Sequence, residues 1–195
     1  MDQMNFSSLV TIATLAASFG LGALAGGGVL AYFIFTKRGN AILSGGLRTT
    51  MKAPVFSAVN LTGDVINFDM SFGKTVILKF WSLDCHPCIE EFPSLNDAYA
   101  NLSDDVALFT IATGSSEQPL KEFVSGRGLK FPILLDPQGE IARRYKVRAL
   151  PFAYLIDAQG MITDTFVGAG RVSEVFQAAS GCVGGICKLP IRKTK

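Results

Sequence analysis

One histidine, His86, stands in the whole chain. That scarcity excludes a Cys-His-Asp hydrolase built anywhere away from it. Charge is scarce as well: Asp, Glu, Lys and Arg make up 17% of the residues and nearly cancel, leaving a formal +2. Nothing in that balance points to nucleic acid. Gln3 to Thr36 carries no charge at all. Internal repeats are absent, as is any low-complexity tract beyond one short linker bearing glycines and cations. Cysteines number four and fall in two close pairs, Cys85 with Cys88 and Cys182 with Cys187, a usage that an oxidising compartment favours.

The uncharged stretch is filled by Leu9, Val10, Ile12, Leu15, Phe19, Leu21, Leu24 and a second apolar block from Val29 to Phe35. A helix needs about 20 such residues to cross a bilayer, so residues 1–36 read as a transmembrane anchor. The alternative is a cleaved signal peptide, since Ala23-Leu24-Ala25 resembles a cleavage site. Against it, no basic residue precedes the run, and cleavage would leave GGGVLAYFIF exposed. Ser18, Gly22 and Gly26 form a small-residue face able to pack on another membrane helix. Residues 37–53 read as a linker, 54–180 as a folded domain and 181–195 as a cysteine-containing basic tail. The tail cations Lys188, Arg192, Lys193 and Lys195 are either solvated or in touch with anionic lipid.

The chain is organised around Thr75 to Pro93, TVILKFWSLDCHPCIEEFP. Thr75 to Trp81 is a short apolar run, too brief for a helix and right for a central strand. Ser82, Leu83 and Asp84 make a turn, and Cys85-His86-Pro87-Cys88 opens a helix carried on by Ile89, Phe92, Leu95 and Tyr99. Pro87 suits a first helical turn, where its missing N–H costs nothing. Two cysteines three apart there share a face, about 5–6 Å between Cα atoms, within disulfide reach. Cys85, at the exposed start, is the expected nucleophile, because unpaired N–H groups favour a thiolate. Cys88 lies deeper as the resolving thiol. An imidazolium at His86 would favour the Cys85 thiolate, although His86 also reads as an exposed residue that only tunes contacts.

The pattern formed by Trp81, Cys85, Pro87, Cys88, Glu91 and Pro93 resembles the membrane-anchored thioredoxin-like proteins of the TlpA/ResA type. The resemblance implies a thiol:disulfide oxidoreductase acting outside the cytoplasmic membrane. It also implies thiol-bearing protein substrates, apocytochrome c among the candidates, and a membrane electron donor of the CcdA/DsbD kind. No cofactor is implied, because the dithiol itself carries the two electrons. Glu91 corresponds to an acidic residue near the dithiol in that family, able to relay protons; its plainer reading is a carboxylate favoured in the first turns of a helix. Pro151 stands where thioredoxin-like folds hold a cis proline beside the dithiol. Lys79 departs from the pattern, occupying a position where thioredoxins carry a buried Asp and many relatives an Asn. Either its amine lies buried and favours the thiolate, or its stem lines the core while the amine snorkels out. Asp84 departs too, replacing an aromatic residue.

Topology is in conflict. Lys37, Arg38, Arg48 and Lys52 follow the anchor, whereas only Asp2 and the amino terminus precede it. The positive-inside rule alone would put the domain in the cytoplasm. The resemblance and the paired cysteines place it outside, on the periplasmic side of the cytoplasmic membrane.

Around the central stretch, Asn60 to Phe68 reads as a hairpin turning at Gly63-Asp64. Val106–Ala112 and Phe131–Leu135 read as strands, with a helix through Leu120, Phe123 and Val124 between them. Glu140–Tyr145 is a short helix, Phe152–Ile156 and Met161–Val167 a second hairpin, and Val172, Val175 and Phe176 mark a last helix. Together they predict a thioredoxin-like α/β fold, a central mixed sheet flanked by helices.

Rival readings stand beside this one. A peroxiredoxin shares the fold, with a Thr or Ser where Ser82 stands but a proline where Leu78 stands. A thiol-based module for metal or haem delivery would use Cys85 and Cys88 as ligands and need more, which Cys182 and Cys187 could supply. That second pair also reads as a local structural disulfide, or as an exchange-active pair on a mobile arm.

Overall fold

In the computed structural model of the chain, residues 46–69, 73–183 and 186–187 are described. The anchor expected over 1–36 lies outside them. Among the described residues, no helix is long and apolar enough to cross a membrane.

The centre is a five-stranded mixed sheet in the order β5-β4-β3-β6-β7. Its middle strand, β3 (Thr75–Trp81), is buried at every position. Such a strand must be apolar on both faces, and this one is, apart from Thr75 and Lys79. On one side β3 runs parallel to β4 (Val106–Thr113), which in turn runs parallel to β5 (Ile133–Asp136). On the other it pairs antiparallel with β6 (Phe152–Ile156), followed by the antiparallel β7 (Ile162–Val167). The fold is thioredoxin-like, as expected.

Strand alternation divides the core. Ile77 and Trp81 face the layer made by α1 (His86–Glu90), α2 (Phe92–Ala100), α3 (Glu117–Val124) and α5 (Val172–Ser180), where they meet Cys88, Phe92, Leu95, Leu120, Val172 and Val175. Val76, Leu78 and Phe80 face the other side, against the hairpin of β1 (Phe56–Val59) and β2 (Val65–Phe68) and the short α4 (Glu140–Arg144). Phe56, Phe68, Tyr145 and Tyr154 fill that second layer.

The active-site helix differs from the single run expected. It breaks at Glu91, which ends α1 and precedes α2. Pro93 is the reason: it has no N–H to give to the Ile89 carbonyl, and its ring crowds that carbonyl.

Both sheet edges are covered. Leu61 N–H donates to Ile133 O, so the first hairpin continues past β5. Along β7, residues 50–53 add a short pairing through Thr50 N–H to Ile162 O and Ala53 N–H to Gly160 O. The stretch from 46 to 53, read from sequence as the end of a linker, is therefore packed on the domain. Leu47 is buried there, and its amide donates to Tyr154 Oη at 2.8 Å. Gly46 has φ +117°, and a Cβ on it would come within 2.7 Å of the Phe152 ring, so only glycine fits. The last pair, β8 (Cys182–Val183) and β9 (Ile186–Cys187), is an antiparallel turn with Cys182 and Cys187 directly opposite.

Candidate active site

Strand β3 ends at Trp81, and the chain turns at once into the dithiol. Cys85 N–H donates to Ser82 O at 3.2 Å, closing the turn, and Cys85 then serves as N-cap of α1. Its carbonyl accepts from Cys88 N–H at 2.9 Å. Pro87 sits in the first helical turn, where it is tolerated. Cys85 and Cys88 are joined as a disulfide, with 5.3 Å between Cα atoms. Their surroundings are unequal. Cys88 is fully buried against Trp81 and Phe92, whereas Cys85 is half-exposed. A partner sulfur therefore has access to Cys85 and not to Cys88.

The floor under the dithiol is rigid. Trp81 is fully buried, its ring edge-to-face with Phe92 at 4.8 Å, and its Nε1–H donates to Thr110 Oγ1 at 3.3 Å. Pro151 is buried and follows a cis Leu150–Pro151 bond at the start of β6. Because Phe152 pairs with Phe80, Pro151 lies at the same end of the sheet as the turn into Cys85. His86 stands in solvent, 83% exposed, with Nε2 at 3.2 Å from Glu90 Oε1. Any charge it carries is thus shared with a neighbouring carboxylate and screened by water.

Of the two sequence expectations for Lys79, the structure has the buried amine. Its side chain is only 8% exposed, so the amine does not snorkel out. Nor is it a lone charge beneath the dithiol, since Nζ lies 2.7 Å from Glu91 Oε2. Glu91 is buried as well, and its Oε1 accepts from Gly170 N–H at 2.6 Å. Both carboxylate oxygens of the expected proton relay are engaged. Gly170 was absent from the sequence reading, and no local pattern marks it, because only the fold brings it to Glu91.

Asp136 lies between the strand and the short helix expected from the sequence. It is 3% exposed, and its carboxylate accepts from Ile141 N–H and Ala142 N–H, both at 3.0 Å, and from Thr113 Oγ1 at 3.1 Å. It holds the first turn of α4, whose N-cap residue is Gly139, and ties it to β4; an Asp opening the turn ahead of a short helix is the signal that could have found it. Among the described residues, no group of three or more His, Cys, Asp or Glu side chains is placed to hold a metal ion.

A half-exposed cysteine bonded to a buried one, on a strand-turn-helix beside a cis proline, is an arrangement for disulfide exchange. Comparison with known proteins agrees. The model of the AhpC/TSA family matches residues 49–165. The chain belongs to that family. It is 32% identical over 135 residues to the thioredoxin-like protein YneN of Bacillus subtilis, covering 68% of this chain and 79% of that one. It is 30% identical over 139 residues to the thiol-disulfide oxidoreductase ResA of the same organism, covering 70% of this chain and 78% of that one. Among solved structures, StoA from Bacillus subtilis superposes with a TM-score of 0.58 at 29% identity, over 64% of this chain and 96% of that one. A putative thiol:disulfide interchange protein DsbE from Chlorobium tepidum gives 0.62 at 27% identity, over 68% and 98%. This member of the AhpC/TSA family is a thiol-disulfide oxidoreductase with Cys85 and Cys88 as its CxxC pair, acting on thiol-bearing proteins. Leu78, where a peroxiredoxin's proline would stand, is fully buried in the sheet.

Proposed function

We propose that the chain is a membrane-anchored oxidoreductase whose domain works outside the cytoplasmic membrane. It exchanges electrons with exported protein thiols, in cytochrome c maturation or a related pathway, and draws on a membrane donor of the CcdA/DsbD kind. The uncharged run from Gln3 to Thr36 supports the anchor. The observation that carries the exchange reading is the unequal exposure of the bonded pair, half-open Cys85 over fully buried Cys88.

The cycle follows from that inequality. Reduced Cys85 attacks a partner disulfide as a thiolate, and one partner sulfur leaves as a thiolate. Cys88, too deep for a partner to reach, attacks Cys85 Sγ and expels the second partner sulfur. The partner gains two electrons and the Cys85–Cys88 bond forms; run backwards, the same steps oxidise a partner dithiol. Glu91 is the candidate proton relay and His86 the candidate thiolate stabiliser. Pro151, which has no N–H, leaves the backbone beside the dithiol free to meet a substrate strand.

Intact cells test this. Cys88→Ser should hold exported proteins as mixed disulfides through Cys85, and Cys85→Ser should hold none. A cysteine at exposed Thr49 should react with a membrane-impermeant maleimide without permeabilisation. Labelling only after permeabilisation would place the domain in the cytoplasm, as the basic flank predicts. Equal trapping by both variants would remove the nucleophile assignment.

A further inference from the structure

The two layers on the central sheet carry opposite charge. One is built by residues 46–69 and 140–150, and all six of its cations are exposed: Arg48 and Lys52 along β7, Arg143 and Arg144 on α4, and Lys146 and Arg148 on the loop that leads to Pro151. The acidic residues of the same segments are Asp64, Asp69 and Glu140. In the other layer, α1, α2, α3 and α5 carry Glu90, Asp97, Glu117, Glu122 and Glu174 against Lys121 and the solvent-exposed His86. Tertiary contacts gather the cations of the first layer. Tyr154 Oη takes the Leu47 amide and donates to Tyr145 O, and Arg144 Nη1 donates to Val55 O at 2.6 Å across 89 positions of sequence.

The same layer presents apolar side chains to water. Among the described residues, the exposed large ones are Met51, Val55, Val59 and Val65. Val59 and Val65 stand opposite each other across β1 and β2, and Val55 continues the outward alternation of β1. Cations set around exposed aliphatic side chains are what an interfacial surface offers a bilayer: the charges meet anionic headgroups while the aliphatics enter the headgroup region. The chain also enters the described domain on this layer. Gly46, separated by nine residues from the end of the uncharged run at Thr36, lies against the Phe152 and Tyr154 side chains.

We propose that this layer docks on an anionic phospholipid surface. The inference rests on the membrane-anchored reading above and adds to it the face of the domain that meets the bilayer. An acidic protein segment is the other occupant such cations could take; the outward valines and the entry of the chain on this layer favour lipid. Docking there leaves the exchange site open, because Cys85 and Cys88 pack with Ile77 and Trp81 on the opposite side of the sheet. The acidic helix layer is repelled by the same headgroups, which fixes the orientation from the other side.

The full chain carrying Cys182→Ser, Cys187→Ser and Val65→Cys, with the Cys85–Cys88 bond kept oxidised, takes a thiol-reactive fluorophore at position 65 alone. Val65 is 63% exposed, so the label leaves the core undisturbed. In vesicles of phosphatidylcholine and phosphatidylglycerol doped with a nitroxide lipid, the label should be quenched several-fold more than in phosphatidylcholine alone. High salt should remove the difference. The same label introduced through Glu122→Cys, in the helix layer, should be quenched little in either lipid. Arg48→Gln, Lys146→Gln and Arg148→Gln together should abolish the lipid difference at position 65. Equal quenching in the two lipids, equal quenching at positions 65 and 122, or a triple variant that behaves as the parent overturns the proposal. A triple variant that keeps its quenching but loses exchange with acidic protein substrates assigns the face to a protein and overturns it too. The anchor is read separately: a chain washed from the vesicles by alkaline carbonate refutes the anchored reading. Co-sedimentation with the phosphatidylglycerol vesicles at neutral pH then tests the face. Retention lost in the triple variant supports docking, and retention that is absent or indifferent to those substitutions overturns it.

Discussion

Cys85 and Cys88 lie 5.3 Å apart between Cα atoms, yet one is half-exposed and the other fully buried against Trp81. The strand-turn-helix creates the difference. The turn at Ser82 to Asp84 brings Cys85 out at the end of the sheet, and one helical turn carries Cys88 back beneath it. In the reduced protein, alkylation near neutral pH should therefore modify Cys85 faster than Cys88, on the order of tenfold or more. Mass mapping of partially alkylated protein measures the ratio, and equal rates would contradict the burial.

Cys182 and Cys187 face each other across β8 and β9, remote in sequence from the first pair. If the pair is a local structural disulfide, one of the two readings its sequence allows, exchange at Cys85 does not need it. Replacing both by serine should leave disulfide reduction of an insulin-type substrate largely intact. A collapse of turnover with the fold retained would instead make the tail an electron carrier.

Tyr154 joins three segments. Its hydroxyl accepts from Leu47 N–H at 2.8 Å and donates to Tyr145 O at 2.6 Å, while Tyr145 Oη donates to Pro54 O at 2.7 Å. Tyr154→Phe strands the Leu47 amide and the Tyr145 carbonyl, and should cost about 1–3 kcal/mol of stability in denaturant unfolding.

The same phenols set an alkaline limit. Burial pushes the Tyr154 phenol up to about 12, the Leu47 amide working slightly against it. Burial, then the neighbouring Tyr154, raises Tyr145 further still. A folded value above the unfolded one of about 10 means that the folded state keeps the proton longer. The stability associated with the protonated phenols is whole below about pH 10 and is lost as pH rises through the folded values. Unfolding followed from neutral to strongly alkaline pH should show this loss, and Tyr154→Phe should shrink it.

Asp136 holds the start of α4 through two backbone amides and β4 through Thr113. Asp136→Ala removes the acceptor of three hydrogen bonds from a buried site and should destabilise the domain by about 1–3 kcal/mol. The Cys85–Cys88 chemistry lies on other elements, so turnover per folded molecule should change little. A selective loss of turnover at unchanged stability would mean that α4 contributes to the site.

The strand at Thr75–Trp81, the turn, the helix start at Cys85 and the later strands and helices were all legible from the chain, because each rests on local signals. Apolar runs, Pro and Gly punctuation and the cysteine spacing act over a few residues. Even the two faces of β3 followed from alternation alone. The helix break at Glu91 was within reach, since Pro93 stands in plain sight.

What only the tertiary structure decided are the partners of the buried polar groups. By sequence Lys79 could have lain buried or reached solvent; its buried amine found Glu91 because the α1–α2 break packs over β3. Gly170 reached the same carboxylate from the β7–α5 loop, a contact between residues 79 apart in the chain. Residues 46–53 bonded to β7 and Tyr154 instead of hanging free. A charge or amide removed from water must find a partner, and which one it finds depends on elements that meet only when the sheet and its layers are assembled.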